Sequence, residues 1–203
     1  MVQTRSQQAY GKDGNGSGDD DPAPPSTLAI FSIYLGLGTL LSYGFGRDLD
    51  LDTFPPADEL AREISPTIIA ICLFLTSYSL FDVMAVGVAK QKYGYSTKRF
   101  GPWIHNPPEE VYLALRAQTN QVEQLPGFLV GAFSFSVLVN GTVGAVLSLI
   151  WTVLRRIYAS RYRSAMGQTI KESKIGNITI PAYFVLNAML MGTAVHCARL
   201  VLS

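Results

Sequence analysis

The sequence predicts an all-α integral membrane protein, a four-helix bundle with an extra N-terminal hydrophobic helix and a disordered polar tail ahead of it. Three observations carry that expectation. Charged residues make up only 15% of the 203, against about 25% in a typical soluble domain. Mean hydropathy is positive even though the first stretch is polar. Uncharged or nearly uncharged runs of helical length recur from residue 28 onward, and a bilayer core of about 30 Å needs roughly 20 helical residues. The 16 Lys and Arg against 15 Asp and Glu leave a net charge of +1. A nucleic-acid binder, a disordered chain and a soluble enzyme each call for more charge than this.

Residues 1–26 are rich in Gly, Ser, Gln, Pro and Asp, with the run Asp19-Asp20-Asp21. Such a segment buries too little apolar surface to offset its ordering entropy and reads as disordered. Its acidic run and late apolar onset do not fit a transit or signal peptide. Residues 27–46 hold the first apolar segment, Leu28 to Phe45, which reads as a fifth span or as an interfacial helix. Residues 64–203 hold four more, at about Ser65 to Ala89, Val111 to Val139, Val143 to Tyr162, and Ile178 to Leu202. Asn140-Gly141-Thr142 between the third and fourth segments allows only a tight antiparallel turn.

Lys90, Lys92, Lys98 and Arg99 follow the second segment. Arg155, Arg156, Arg161, Arg163, Lys171 and Lys174 follow or close the fourth. Up-down topology puts both groups on one side, and the positive-inside rule makes that side cytosolic. Five spans put the tail there too, while Arg47, Arg62 and Arg199 remain for the opposite side.

The third segment opens with polar residues at membrane depth. In a helix, Tyr112, Arg116, Asn120 and Glu123 fall on one face. Intramembrane ionisable groups are costly unless satisfied, which makes them functional candidates. Arg116 and Glu123 stand about 10 Å apart along the axis, so the expectation is that they do not pair without a bridge. One reading lets Arg116 snorkel to headgroups while Glu123 pairs with another helix. The other is a site for a small zwitterion, with Arg116 on a carboxylate, Glu123 on an ammonium and Asn120 on a backbone amide. At the end of the fourth segment Tyr158 and Tyr162 share a face, with Arg155 a turn before Tyr158. They read as an interfacial aromatic belt with basic anchors or as hydroxyls turned toward the polar stripe.

Other polar and small residues are expected to serve structure. Asp82 either pairs with a basic residue of a neighbouring helix or lines the site. His105 and His196 lack partners at ligand spacing, so no metal site is expected. Cys72 and Cys197 sit in apolar runs as buried packers. Gly127, Gly131, Gly141 and Gly144 let helices approach closely.

Two stretches together resemble the MAPEG family, the membrane-associated proteins of eicosanoid and glutathione metabolism. The match is R-A-Q-x-N-x-x-E-x-x-P-x-F-L at Arg116, Ala117, Gln118, Asn120, Glu123, Pro126, Phe128 and Leu129, then a short turn and the paired Tyr158 and Tyr162. Ala89 to Gly94 is similar to the family's basic first cytosolic loop. The resemblance spans about Ser65 to Leu202. It implies a homotrimer of four-helix bundles in the lipid bilayer. Glutathione, as co-substrate, would lie between protomers on the cytosolic side, and a lipophilic substrate would arrive from the membrane. Carried over by position, Arg116, Gln118, Asn120, Glu123, Tyr158 and Tyr162 would bind glutathione, and Lys90 stands near a family arginine that reaches its carboxylate. Gln118 is turned about 200° from Arg116, which suits a site shared by two subunits.

The implied activity is that of a microsomal-type glutathione transferase or peroxidase, conjugating glutathione to lipophilic electrophiles or reducing lipid hydroperoxides. The implied membrane is the endoplasmic reticulum, with the mitochondrial outer membrane or a plastid membrane as the other locations. Catalytic members carry an arginine a turn or two beyond the second tyrosine, where it stabilises the glutathione thiolate. Here that stretch reads MGQTIKESKIG. Lys171 is the candidate stabiliser, with help from Tyr158 or Tyr162. A lysine supplies the charge that lowers a thiol pKa but not the planar fork of donors. The family also has a non-enzymatic, lipid-binding branch, and the missing arginine bears on that alternative.

Overall fold

A helix buried in lipid must satisfy its own backbone, so apolar runs of this length fold as helices. The computed structural model describes residues 26–46, 56–94, 107–168 and 170–202. Its helices are α1 (Thr27–Phe45), α2 (Ala57–Ser77), a π-helical turn (Tyr78–Val83) that runs straight into α3 (Met84–Lys92), α4 (Glu109–Leu138), α5 (Gly141–Arg163), the one-turn α6 (Ile170–Ser173) and α7 (Gly176–Leu202). The polar tail, Arg47, Lys98, Arg99 and His105 lie outside the described residues.

Local signals set the ends. Ser26 accepts a hydrogen bond from the Ala29 amide at 3.2 Å and caps α1. Asn140 Oδ1 accepts from the Val143 amide at 3.0 Å and starts α5 immediately after α4, as the turn predicted. Glu109 and Glu110 occupy the first turn of α4, where carboxylates meet the positive end of the helix dipole. The α2 helix begins at Ala57 rather than near Ser65. Its first two turns carry Asp58, Glu59, Arg62 and Glu63, so hydropathy does not detect them. Lys174, at φ 50°, takes the left-handed turn between α6 and α7.

Four described helical stretches are long and apolar enough to cross a membrane: Leu28–Phe45, Ala57–Lys92, Gly141–Arg163 and Gly176–Leu202. With its 30 residues, α4 is about 45 Å long. That exceeds a bilayer core, and its polar first half is where the candidate site stands. The chain is an all-α integral membrane bundle in which the α2–α3 rod, α4, α5 and α7 pack around one core and α1 lies against α7. At the centre of that core Trp151 stacks on Phe128, with centroids 3.9 Å apart, and Phe74 meets both rings edge-on. A buried polar latch ties three helices together: Thr67 and Ser136 hydroxyls stand 2.6 Å apart, and Thr67 reaches the Gly141 carbonyl.

The α1 helix runs parallel to α7. Tyr34 meets Phe184, Gly38 meets Met191, and Ser42 meets His196 in the same chain direction. A Cβ on Gly38 would stand 2.7 Å from the Met191 backbone, so glycine is needed for that approach. This packing lays α1 along α7 over several turns. It also sets the start of α1 at the same end as the starts of α4 and α7.

Some packing expectations are corrected. Gly144 does allow close approach, since a Cβ there would collide with the Ser136 hydroxyl, whereas Gly127 has only ordinary contact with Leu186. Cys72 is exposed on the surface of the bundle and Cys197 is half-buried. Cysteine tolerates a lipid-facing position, so an apolar run does not by itself place it inside.

Candidate functional site

The basic ends of the helices gather at one end of the bundle. Lys92 at the close of α3 pairs with Glu110 at the start of α4, 2.5 Å apart. The Gly167 amide, just beyond α5, donates to Glu109 at 2.8 Å. Near this end α4 carries Arg116, Asn120 and Glu123.

Helical spacing puts these three on one face, as expected, and that face is turned out of the protomer. The Arg116 side chain is 46% exposed and that of Glu123 is 54% exposed, while Asn120 is half-buried. The expectation that Arg116 and Glu123 do not pair is wrong: Arg116 Nη1 lies 3.6 Å from Glu123 Oε1. The rise along the axis separates their backbones, but a long arginine and a glutamate both extend along the helix and close the gap. Tyr112 also lies exposed on α4. In water such a pair would contribute little. Turned toward lipid it is costly, so this face calls for a covering partner or ligand.

Behind the stripe lies a residue whose role the sequence did not reveal. Arg155 is completely buried. Its Nε donates to Gln121 Oε1 at 2.7 Å, and Gln121 Nε2 donates back to the Arg155 carbonyl at 3.0 Å. Its Nη2 donates to both the carbonyl and the side-chain Oδ1 of Asn120, each at 2.9 Å. The guanidinium also stands 4.5 Å from the Tyr158 ring centre and 5.8 Å from that of Trp151. The anchor reading of Arg155 therefore fails, because the side chain turns into the bundle where α4 offers amide oxygens. Gln121, one position on from Asn120, was the available signal.

Tyr158 is 3% exposed, packed with Ala159, Ala165, Ile175 and Ile178, and its ring centre lies 5.6 Å from that of half-buried Tyr162. Arg155 joins this tyrosine pair to the stripe. Gln118 instead faces the π-helical turn and donates to the Tyr78 hydroxyl at 3.3 Å, away from Arg116 as its helical angle requires. Lys90 is half-buried on α3. Lys171 stands on α6, seven residues beyond the start of the loop that follows α5; its side chain lies outside the described residues.

Asp82 resolves toward structure. It is buried in the π-helical turn and pairs with both Arg156 and Arg163 of α5, and Arg156 also donates to the Ser77 carbonyl at 3.1 Å. Buried His196 meets the Ser42 hydroxyl at 3.5 Å. Among the described residues no three His, Cys, Asp or Glu side chains gather as a metal site. An open apolar groove between α2 and α4, lined by Ile68, Ile71, Leu129, Val130, Phe133 and Ser134, begins six residues beyond Glu123.

Comparison with known proteins agrees with this architecture. The model of the MAPEG family matches residues 65–194, from within α2 to within α7, and leaves α1 outside. The chain is also similar to the uncharacterized protein sll1147 of Synechocystis sp., with 30% identity over 109 residues, 54% of this chain and 76% of that protein.

Proposed function

Because this chain belongs to the MAPEG family, we propose that it is a glutathione-dependent membrane enzyme that conjugates glutathione to lipophilic electrophiles or reduces lipid hydroperoxides. The observation that carries the reading is the outward-facing Arg116–Glu123 pair on α4, both side chains about half exposed on the protomer surface. Its two charges stand close enough to match the ammonium and carboxylate borne on one α-carbon, as at the γ-glutamyl end of glutathione. Asn120 lies between them and adds an amide. A neighbouring protomer of a homotrimer would cover the face and bring its own Gln118 and Lys90 toward the far end of the tripeptide, with Tyr158 and Tyr162 lining the site.

The chemistry needs a thiolate, because the thiolate is the nucleophile. In conjugation the sulfur forms a bond to an electrophilic carbon, and the displaced group leaves with its electron pair. In peroxide reduction the sulfur takes the terminal oxygen. The O–O bond breaks and the alkoxide takes a proton; a second glutathione then converts the sulfenic acid to disulfide and water. Lys171, with Tyr162, is the proposed stabiliser of the thiolate. The endoplasmic reticulum is the proposed membrane, with the basic end of the bundle in the cytosol.

A second reading, a non-enzymatic lipid- or partner-binding protein on the same scaffold, is favoured by one feature: MGQTIKESKIG holds no arginine where catalytic relatives have one. One titration separates the two. Glutathione is added to the full-length protein in detergent while thiolate absorbance is followed, together with turnover of an aryl halide and of a fatty-acid hydroperoxide. Binding with thiolate formation and turnover is expected, and Lys171→Ala is expected to abolish the thiolate signal. Binding without turnover supports the second reading, and no binding overturns both.

A further inference from the structure

A buried arginine without a carboxylate at its side needs an explanation. Among the described residues no acidic group lies within ion-pair distance of Arg155, although its side chain is sealed from solvent. Its charge is met instead by the oxygens of Asn120 and Gln121 and by two aromatic faces. Its Nη1 has no hydrogen-bond partner. Replacing such a buried charge by an apolar residue is often neutral or stabilising, so stability alone does not account for it.

The consequence lies at Asn120. An asparagine amide has an accepting oxygen and a donating nitrogen, and nothing in its own shape decides which end faces a ligand. A guanidinium only donates, so Arg155 takes the oxygen. That leaves Nδ2 as the end of the amide that Arg155 does not engage. Asn120 stands half-buried, one turn from both Arg116 and Glu123.

We propose that Arg155 is a positioning residue that acts through Asn120, fixing its amide so that the site offers a donor there and accepts only a ligand oxygen, a carboxylate or a peptide carbonyl. This rests on the glutathione reading and adds the polarity of one of its contacts. The bond from Arg155 Nε to Gln121 Oε1 holds the guanidinium at a second edge.

The test is a double-mutant cycle on glutathione affinity, measured calorimetrically with the full-length protein in detergent. Arg155→Met is expected to weaken binding about tenfold, the loss of one well-placed polar contact, and to cost nothing further in the Asn120→Ala background. Arg155→Lys, which still donates, is expected to restore part of the affinity. An equal loss in both backgrounds, or an Arg155→Met protein that binds like the wild type, overturns the proposal. Asn120→Asp keeps the fold by pairing with Arg155. It is expected to raise the melting temperature while weakening glutathione more than about tenfold, because it removes the Nδ2 donor. Retained affinity in Asn120→Asp would mean that an oxygen faced the ligand from the start and overturns the proposal even if Arg155→Met fails to fold. A wild-type protein that binds no glutathione overturns the glutathione reading itself, and this inference with it.

Discussion

The protein holds two constellations of opposite charges near the basic end of its bundle, and they differ in what they face. In one, buried Asp82 lies between Arg156 and Arg163, all within the protomer. In the other, Arg116 and Glu123 pair on the outer surface of α4. Both use the same functional groups. The first is complete within one chain, with α5 supplying the partners that the π-helical turn needs. The second is open on one side, with both side chains about half exposed on the protomer. Charge in a membrane helix is therefore not one signal but two. Enclosure by the chain's own helices points to structure, and an exposed pair of this kind is a candidate site.

That distinction predicts which variants change stability and which change binding. The largest effect is expected at the enclosed cluster. Asp82→Ala strands two guanidiniums inside the bundle, which costs about 3–5 kcal/mol. Thermal unfolding in detergent should show a large drop in melting temperature or no folded protein at all; a modest shift would mean that water reaches the cluster. Next comes Gly144→Val, where the new side chain meets the Ser136 hydroxyl that joins the polar latch. Overpacking of this kind costs about 1–3 kcal/mol, again read in the melting curve and without a selective effect on glutathione. At the open pair the effect moves from stability to affinity. Glu123→Gln should leave unfolding unchanged within about 0.5 kcal/mol and weaken glutathione by roughly 10- to 100-fold, as expected for a lost bond between charged groups. The reverse pattern would place Glu123 with Asp82 among the structural charges. The smallest effect belongs to Lys92→Ala, which removes an exposed ion pair in solvent and should leave the melting curve where it is.

Much of the fold was legible because it depends on local pattern. The apolar runs give α1, α4, α5 and α7 to within a few residues, and Asn140 marks the turn with its own side chain. The start of α2 was not legible, since Asp58 to Glu63 continue the helix outside the apolar phase where hydropathy reports nothing. The stripe of Arg116, Asn120 and Glu123 follows from helical spacing on one chain segment. Arg155 does not, because its partners come from another helix and its sequence neighbours are basic residues that suggest a surface. The direct contact of Arg116 with Glu123 was missed for a related reason: spacing along an axis counts backbone rise and leaves out the length of two side chains. Gln118 shows the opposite case, in which the helical angle alone foretold that it would turn from Arg116, here onto Tyr78.

The central claim is that Glu123 receives the ammonium of a zwitterionic peptide whose carboxylate meets Arg116. Calorimetric titration of wild type and Glu123→Gln with glutathione and with its N-acetyl derivative tests this most directly, because acetylation removes only the ammonium charge. The account predicts that acetylation weakens binding to the wild type at least about tenfold and makes no difference to Glu123→Gln. Equal affinity of the wild type for the two peptides would contradict it.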